Sequence, residues 1–360
     1  MAEETFPTTI IPGTYIKVQP EGLIAPAAVS TGNIGIVGSA ENVVDENLIL
    51  SGYPDAQTRF GVYDAYDGGK GKQNLTRALE LLYRNGGGVV YARSVAADAD
   101  QAAYEAAFKE LLKDDVNILI APQLTTKTAF NVLKPLVDGA ENEGREIIAV
   151  IGSDETTASK IKAQVQANDR IIFTAPGVKS YDAASKDEVA LSGTYGAVAV
   201  AGLLSTLAPQ SSPTNKVLPG VGFLAQRFSY GETQTLIDGG VLVLEERQGV
   251  RVIRGITTEH AVDGPFRQIT TRRITDYAKS GIRQASNPFI GRLNNARVRK
   301  ALHGAISGFL NSMLVDEALI KYEVEVVATR QDELQGKAVV NAILQPTFSI
   351  DFVMVTLVLQ

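Results

Sequence analysis

Apolar residues along this chain alternate between two rhythms, short continuous runs and helical spacing. "GNIGIVGSA" and "GVVYARSV" are rich in Val and Ile and bounded by turn residues, which predicts two buried strands. Between them, "NLTRALELLYRNGG" places Leu75, Ala78, Leu79 and Leu82 at i, i+3, i+4 and i+7. That spacing predicts a helix, with Asn74 as N-cap and Gly86 past its end. From about Asp98 the rhythms alternate regularly. "QAAYEAAFKELL", "TAFNVLKPLVDGAENEG" (interrupted at Pro135) and "TASKIKAQVQAN" read as helices, and "NILIAP", "REIIAVIG" and "DRIIFTAP" as strands between them. Such alternation implies a parallel sheet with helices on its faces.

The next stretch, "GGVLVLEERQGVRVIRGITT", has two apolar runs, Val241–Leu244 and Val250–Ile253, around a charged turn, and predicts a β-hairpin. Arg251 and Arg254 interrupt its second run without any obvious catalytic group nearby. A basic helical region follows over Thr275–Leu314, then "YEVEVV", then two strand-like segments around Pro346. In the last, Phe348, Ile350, Phe352 and Met354 share one face. The opposite face starts polar at Ser349 and Asp351, then turns apolar at Val353, Val355 and Leu357. A strand apolar on both faces invites aggregation unless it is covered by its own fold or by another subunit. The first twenty residues hold three prolines and one short run, Thr14, Tyr15, Ile16, Lys17 and Val18, and read as an arm.

Composition narrows the chemistry. Of 360 residues 45% are hydrophobic and 21% charged, the balance of a globular chain with a sizeable core. There is no cysteine, so disulfides, thiolate catalysis and cysteine metal sites are excluded, and His260 and His303 are the two histidines. The acidic start "MAEETFPTTI" has no apolar core and is not expected to be a signal peptide. Val189–Asn215 carries no charge, but its glycines, serines and threonines predict a buried small-residue helix and not a membrane span. Gly220, Gly222 and Ala225 in "PGVGFLA" have dinucleotide-loop spacing without the strand–turn–helix setting, and "DGGKGKQN" is a phosphate loop in composition only. No catalytic, cofactor or metal site emerges.

The net charge of −6 is unevenly spread. Residues 267–300 hold nine bases against one acid, whereas residues 1–50 and 316–360 are acidic. Blocks of this kind suggest matching to another surface, a copy of the chain or a partner, more than to nucleic acid, because the whole chain is acidic.

Several segments together resemble the tail sheath proteins of contractile phage tails and of related particles such as R-type bacteriocins. "IIPGTYIKV" is similar to the family's Pro-Gly-Val-Tyr arm, with Thr14 where Val is common. "GNIGIVGSAE" and "NGGGVVYARSV" resemble its first core strands, and "LIDGGVLVLEERQGVRVIRGITT" its hairpin, with Ile256 at an Arg position. "RRITDYAKSGIRQASNPFIGRLNNARVRKALHGAISGFL" resembles its helical region with a Phe-Ile-Gly element, and "GKAVVNAILQPTFSIDFVMVTLVL" its final strand pair. The resemblance lies in the order and spacing of these segments and covers most of the chain.

It implies a mixed α+β and α/β fold: an inner α+β domain with exchanged terminal strands, and an outer β-rich domain carrying a small α/β subdomain. The expected divisions are an arm at 1–20, an outer domain at 21–97 and 206–255, a peripheral subdomain at 98–205, an inner domain at 256–346 and a strand arm at 347–360. It implies a structural subunit without enzymatic activity or cofactor, polymerising helically around a rigid tail tube and contracting to drive the tube through a cell envelope. Intersubunit strands would come from Thr14–Val18 and from Phe348, Ile350, Phe352, Met354, Val355 and Leu357. Arg272, Arg273, Arg283, Arg292, Arg297, Arg299 and Lys300 would face the tube. Implied partners are further copies of the chain, the inner tube protein, and baseplate and tail terminator proteins, with no nucleic acid and no membrane insertion. Its place would be a virion tail assembled in a bacterial cytoplasm. A secretion-type sheath or other self-assembling filament, or an α/β enzyme built on residues 98–205, are the alternative readings.

Overall fold

The computed structural model describes residues 29–67, 74–259 and 264–358. The expected N-terminal arm, most of "DGGKGKQN" and His260 lie outside them. The chain begins with β1 (Ile34–Ser39), β2 (Leu48–Leu50), α1 (Tyr53–Phe60), α2 (Leu75–Arg84) and β3 (Val90–Val95). Alternation follows through α3 (Gln101–Leu111), β4 (Ile118–Ile120), α4 (Thr126–Asn142), β5 (Ile148–Gly152), α5 (Ala158–Gln164) and β6 (Ile171–Ala175). Then come β7 (Val178–Asp182), β8 (Asp187–Leu191), α6 (Gly193–Thr206), β9 (Phe223–Leu224), α7 (Tyr230–Asp238), β10 (Val241–Glu246) and β11 (Val250–Val252). The chain continues with α8 (Ile269–Ser286), α9 (Ala296–Val315), β12 (Leu319–Val327), α10 (Arg330–Leu334) and β13 (Val339–Pro346).

One eight-stranded sheet organises the first part, in the order β11-β10-β6-β5-β4-β1-β3-β2. Its six central strands are parallel, and the antiparallel β11 and β2 close its two edges. In β5, Ile148 and Val150 enter the core beneath α1, α2 and α6, while Ala149 and Ile151 enter the core beneath α3, α4, α5 and α7. A strand buried on both faces must be apolar throughout, which is why these strands appear in the sequence as continuous runs. The uncharged helix α6 is buried from Gly193 to Leu204, as its composition predicts. Small residues let it approach α2: a Cβ on Gly202 would stand 2.7 Å from the Leu82 carbonyl, and one on Gly86 2.3 Å from the Gly202 carbonyl.

Three expectations are corrected here. Residues 98–205 do not carry a sheet of their own: β4, β5 and β6 lie between β1 and β10, so the expected boundaries at 97 and 205 cut through a continuous sheet. The run of turn-bounded strands resembled a module because sequence order hides the pairing of β1 with β4. Helix α4 passes through Pro135 unbroken, because Pro135 and Asn131, whose carbonyl the proline cannot serve, are both exposed. Asn74 occupies the N-cap position of α2 without capping it; its Oδ1 accepts instead from Arg77 Nη1 at 2.6 Å.

A second, smaller unit follows. Helices α8 and α9 and the antiparallel pair β12–β13 enclose Ile274, Ala278, Leu302, Ile306, Phe309, Leu310 and Met313. Gly281 allows the two helices to meet, since a Cβ there would stand 1.9 Å from the Phe309 ring. The separate three-stranded sheet β8-β7-β9 completes the fold.

Candidate assembly surfaces

The C-terminal segment is the most exposed apolar element. Val353, Met354, Val355, Leu357 and Val358 are 81, 95, 74, 83 and 77% exposed, and Phe348, Ile350 and Phe352 are 58, 81 and 68% exposed. Expected as a strand, Phe348–Val358 has no strand partner among the described residues. Its beginning is nevertheless held. Thr347 donates its N–H to the Ala318 carbonyl at 3.1 Å and its hydroxyl to the Glu317 carbonyl at 2.7 Å. Gln268 accepts from the Ser349 N–H at 3.0 Å and donates to the Ser349 carbonyl at 3.1 Å, so one side-chain amide stands in for a neighbouring strand. The Asp351 carboxylate accepts from Arg254 Nε at 2.8 Å, and from Thr214 Oγ1 and Gln268 Nε2 at 3.3 Å. Arg254 also lies 5.1 Å from the centre of the Phe352 ring. The hairpin segment thus has a structural role, because the arginine that interrupts its apolar pattern holds the chain's far end.

Beside the arm lies an incomplete sheet. In β12–β13 one face, Tyr322, Val324, Val326, Val340 and Leu344, packs on α8 and α9. The other exposes Ile343 and Val339 opposite Glu323 and Val327. Two strands alone make a marginal sheet, and among the described residues neither outer edge has a partner.

The basic residues separate into two groups. Arg272 and Arg273 are buried, and so are set aside as tube-facing groups. Arg272 donates to Asp169 at 2.8 Å and Asp276 at 2.7 Å, and Arg273 to the carbonyls of Leu207 at 2.9 Å and Thr31 at 3.2 Å. Burial lowers Arg273 to about 10, which leaves it cationic at neutral pH. Arg283 is half spent, donating to both oxygens of Glu146 at 2.8 and 3.0 Å. Arg299 pairs with Glu333 at 3.0 Å. Arg292, Arg297 and Lys300 remain exposed. Arg292 and Arg299 help line a groove of about 470 Å³ with Phe289, Ile290, Leu293 and Lys337. A run of charge on a helix does not reveal its partners: Asp169, Glu141 and Glu146 lie more than a hundred residues earlier in the chain.

These inward contacts form the clamp between the two units. Arg170, whose side chain is 1% exposed, donates to Asp276 at 3.0 and 3.1 Å, to Glu141 and to the Ile147 carbonyl. Lys279 reaches Glu141 at 2.8 Å. Arg170's hydrogen bonds hold the Glu141 carboxyl well below the usual carboxylate range, while burial pushes Asp276 upward against the pull of Arg272 and Arg170. Thr31, Glu146, Ile147 and Arg170 lie one to three residues before parallel strands, so α8 lies across the sheet's amino-terminal edge.

At the opposite edge, where α/β enzymes bind ligands, several polar groups satisfy one another. Gln123 bonds Ser39 and Tyr104, Thr126 bonds Gly152 and Asp154, and Ser153 bonds Gln164. A Cβ on Gly152 would stand 1.9 Å from the Gly193 carbonyl, so the two backbones touch at that point. "PGVGFLA" is a turn leading into β9, with the Gly220 N–H bound to Asn85 at 3.0 Å. His303 is exposed and lies 3.2 Å from the Val324 carbonyl. Among the described residues there is no cluster of metal-ligating side chains, and no helix is long and apolar enough to cross a membrane.

Comparison with known proteins gives a consistent result. Residues 97–258 match the phage tail sheath protein central domain, and residues 261–360 the phage tail sheath C-terminal domain. No match was found among curated proteins. Among solved structures, the contracted helical sheath of the anti-feeding prophage is similar over 97% of this chain and 99% of its own, with TM-score 0.77 and 19% identity. The contracted PVC sheath of an extracellular contractile injection system is similar over 98% of both chains, with TM-score 0.74 and 18% identity. The sheath tail protein of Desulfitobacterium hafniense is similar over 93% of this chain and all of its own, with TM-score 0.66 and 12% identity. At these identities the structures speak to the fold.

Proposed function

The chain belongs to the phage tail sheath family, a family of structural subunits, and on that premise we propose that it builds a contractile sheath by exchanging strands between copies. The C-terminal arm of one copy adds to the open edge of β12–β13 in another. Backbone hydrogen bonds then give the affinity, and the alternating apolar side chains set the register. The N-terminal run Thr14–Val18 is a second donor strand in this reading. The assembled copies wind helically around a rigid tube and end at baseplate and terminator proteins. Contraction is a change in the packing of subunits already bound, which drives the tube through a target envelope without nucleotide or cofactor. The setting is the tail of a phage or related particle, assembled in the bacterial cytoplasm.

A tube-facing role falls to the exposed cations Arg292, which lines the groove between the α8–α9 connection and Lys337, and Arg297 and Lys300 on the first turns of α9. Exposed ion pairs contribute only about 0–1 kcal/mol each. Contacts of that strength suit a sheath that must release its tube and slide.

One observation carries the reading. An apolar arm that is 74–95% exposed at Val353, Met354, Val355, Leu357 and Val358 belongs to a chain whose own two-stranded sheet has open edges among the described residues. The test is to purify the full chain and a chain lacking residues 353–360 and image both by negative stain. Regular tubes from the first and discrete folded subunits from the second are expected. Tubes of unchanged pitch from the truncated chain would refute strand exchange through this arm.

A further inference from the structure

Among the described residues, the hydrogen bonds and ring contacts of the C-terminal arm end at Phe352. From Thr347 to Phe352 the segment is bound to its own chain by Glu317, Ala318, Thr270, Gln268, Thr214 and Arg254. From Val353 to Val358 the residues are exposed and uncharged. We propose that Arg254, Gln268 and Thr214 form a latch on Ser349 and Asp351 that keeps residues 347–352 with their own subunit, so that only the chain from Val353 onward passes to a second copy. The proposal rests on the strand-exchange reading above and divides the arm that reading treats as one.

Three features locate the division. Asp351 has a side chain only 6% exposed and receives a charge-assisted hydrogen bond from Arg254, the stronger kind of hydrogen bond. Withdrawing Asp351 would leave Arg254 without that carboxylate, close enough to Arg267 for the two cations to repel. Gln268 bonds both backbone groups of Ser349 and takes up its single N–H, so that residue cannot donate to a neighbour's strand. Beyond Asp351 no charged residue follows to the end of the chain, which is the composition of a strand meant for burial.

The latch also sets where the arm begins. Val353 to Gln360 is eight residues, which span at most about 26–29 Å when extended. A receiving edge that pairs with these residues must therefore begin within that distance of Asp351. Were the whole of 347–360 free, the reach would be greater by the length of six residues, and the arm would leave its subunit in a direction set by nothing.

The absence of cysteine makes the test clean. Thr270 Oγ1 and Ser349 Oγ are 3.1 Å apart, so a Thr270→Cys, Ser349→Cys chain brings two thiols together without competitors. Oxidation should give an intrachain disulfide that migrates as monomer on a non-reducing gel, and the locked protein should form tubes as readily as the same protein kept reduced. Three results would overturn the latch: a ladder of interchain disulfides from assembled material, loss of assembly on oxidation alone, or failure of the two thiols to cross-link. A second variant, Asp351→Asn, should raise the concentration needed for assembly about tenfold through loss of the charge-assisted bond; an unchanged concentration counts against the latch. The chain lacking 353–360 separates the two ideas. If it assembles, strand exchange fails, and if it does not while the oxidised lock also fails to assemble, exchange stands and the latch falls.

Discussion

Replacing Arg170 by Met tests the clamp between the two units. The substitution keeps most of the aliphatic stem's volume and removes the guanidinium, and with it two hydrogen bonds to Asp276, those to Glu141 and one to the Ile147 carbonyl. Asp276 is then left buried with Arg272 as its remaining cation, while Glu141 keeps Lys279. Removing one partner of a buried ion pair costs about 3–5 kcal/mol. Because both carboxylates retain a partner, the lower end applies, about 3 kcal/mol. For a unit of this size each kcal/mol lowers Tm by about 2–4 °C, so a fall of about 6–12 °C is expected. Calorimetry of the unassembled subunit, with urea midpoints by circular dichroism, measures it. The clamp joins α8 to the edge of the sheet, so the variant should also separate a shared transition into two. Asp276→Asn and the double variant complete a cycle, in which a coupling of about 0.5–3 kcal/mol marks groups that act together. A Tm fall under about 2 °C, or strictly additive effects, would refute the reasoning.

Three further outcomes are expected. Glu141's folded pKa lies below its usual 4.5, so its pairing stabilises the fold above that value and the contribution fades as pH falls toward the folded one. Buried Asp276 works in the opposite sense, so the quantity to follow is the Tm gap between the native chain and Glu141→Gln; it should narrow between about pH 6 and about pH 3, and a constant gap would contradict the assignment. Gly281→Ala should destabilise by about 1–3 kcal/mol through overpacking against Phe309, outweighing a gain in helix propensity of up to about 1 kcal/mol, and Phe309→Leu in the same chain should recover much of the loss. Reversing Arg292, Arg297 and Lys300 to Glu should prevent assembly around tubes while leaving empty tubular assemblies intact; loss of both would assign these cations to contacts between copies.

Much of the fold was legible in the apolar pattern. The hairpin Val241–Val252, helices α2 and α3, and the burial of the uncharged α6 all follow from spacing and composition. Strand order was not legible, because parallel strands buried on both faces are interchangeable apolar runs, and nothing local in "NILIAP" says that it lies between β1 and β5. Strands β7 and β8 were hidden by Lys179, Asp187 and Glu188, which place polar side chains in an exposed hairpin. Helix α7 did carry a signal, the Ser229–Glu232 capping box, with the spacing such boxes use. For the assembly surfaces, the two-faced apolar C-terminus was visible, and its root was not. Only the misplaced charge of Arg254 hinted at it, since Thr214, Gln268 and Asp351 are brought together by the tertiary fold.

The root of the arm has a consequence for the order of folding. Strands β12 and β13 and helices α8 and α9 are neighbours in sequence, so their contacts are local and form early. The large sheet must join β1 to β4 and β6 to β10 across long intervening segments, which is slower. Arg254 and Thr214 belong to segments that pack against that slower sheet. A half-folded molecule therefore carries its adhesive tail before it has the means to aim it, and becomes fit for addition only once the last strands close. Pulse-labelled hydrogen exchange during refolding should protect amides of Val339–Pro346 before those of Ile118–Ile120, with protection at Ser349 arriving last. Growth of the filament would then select finished subunits without any separate inspector.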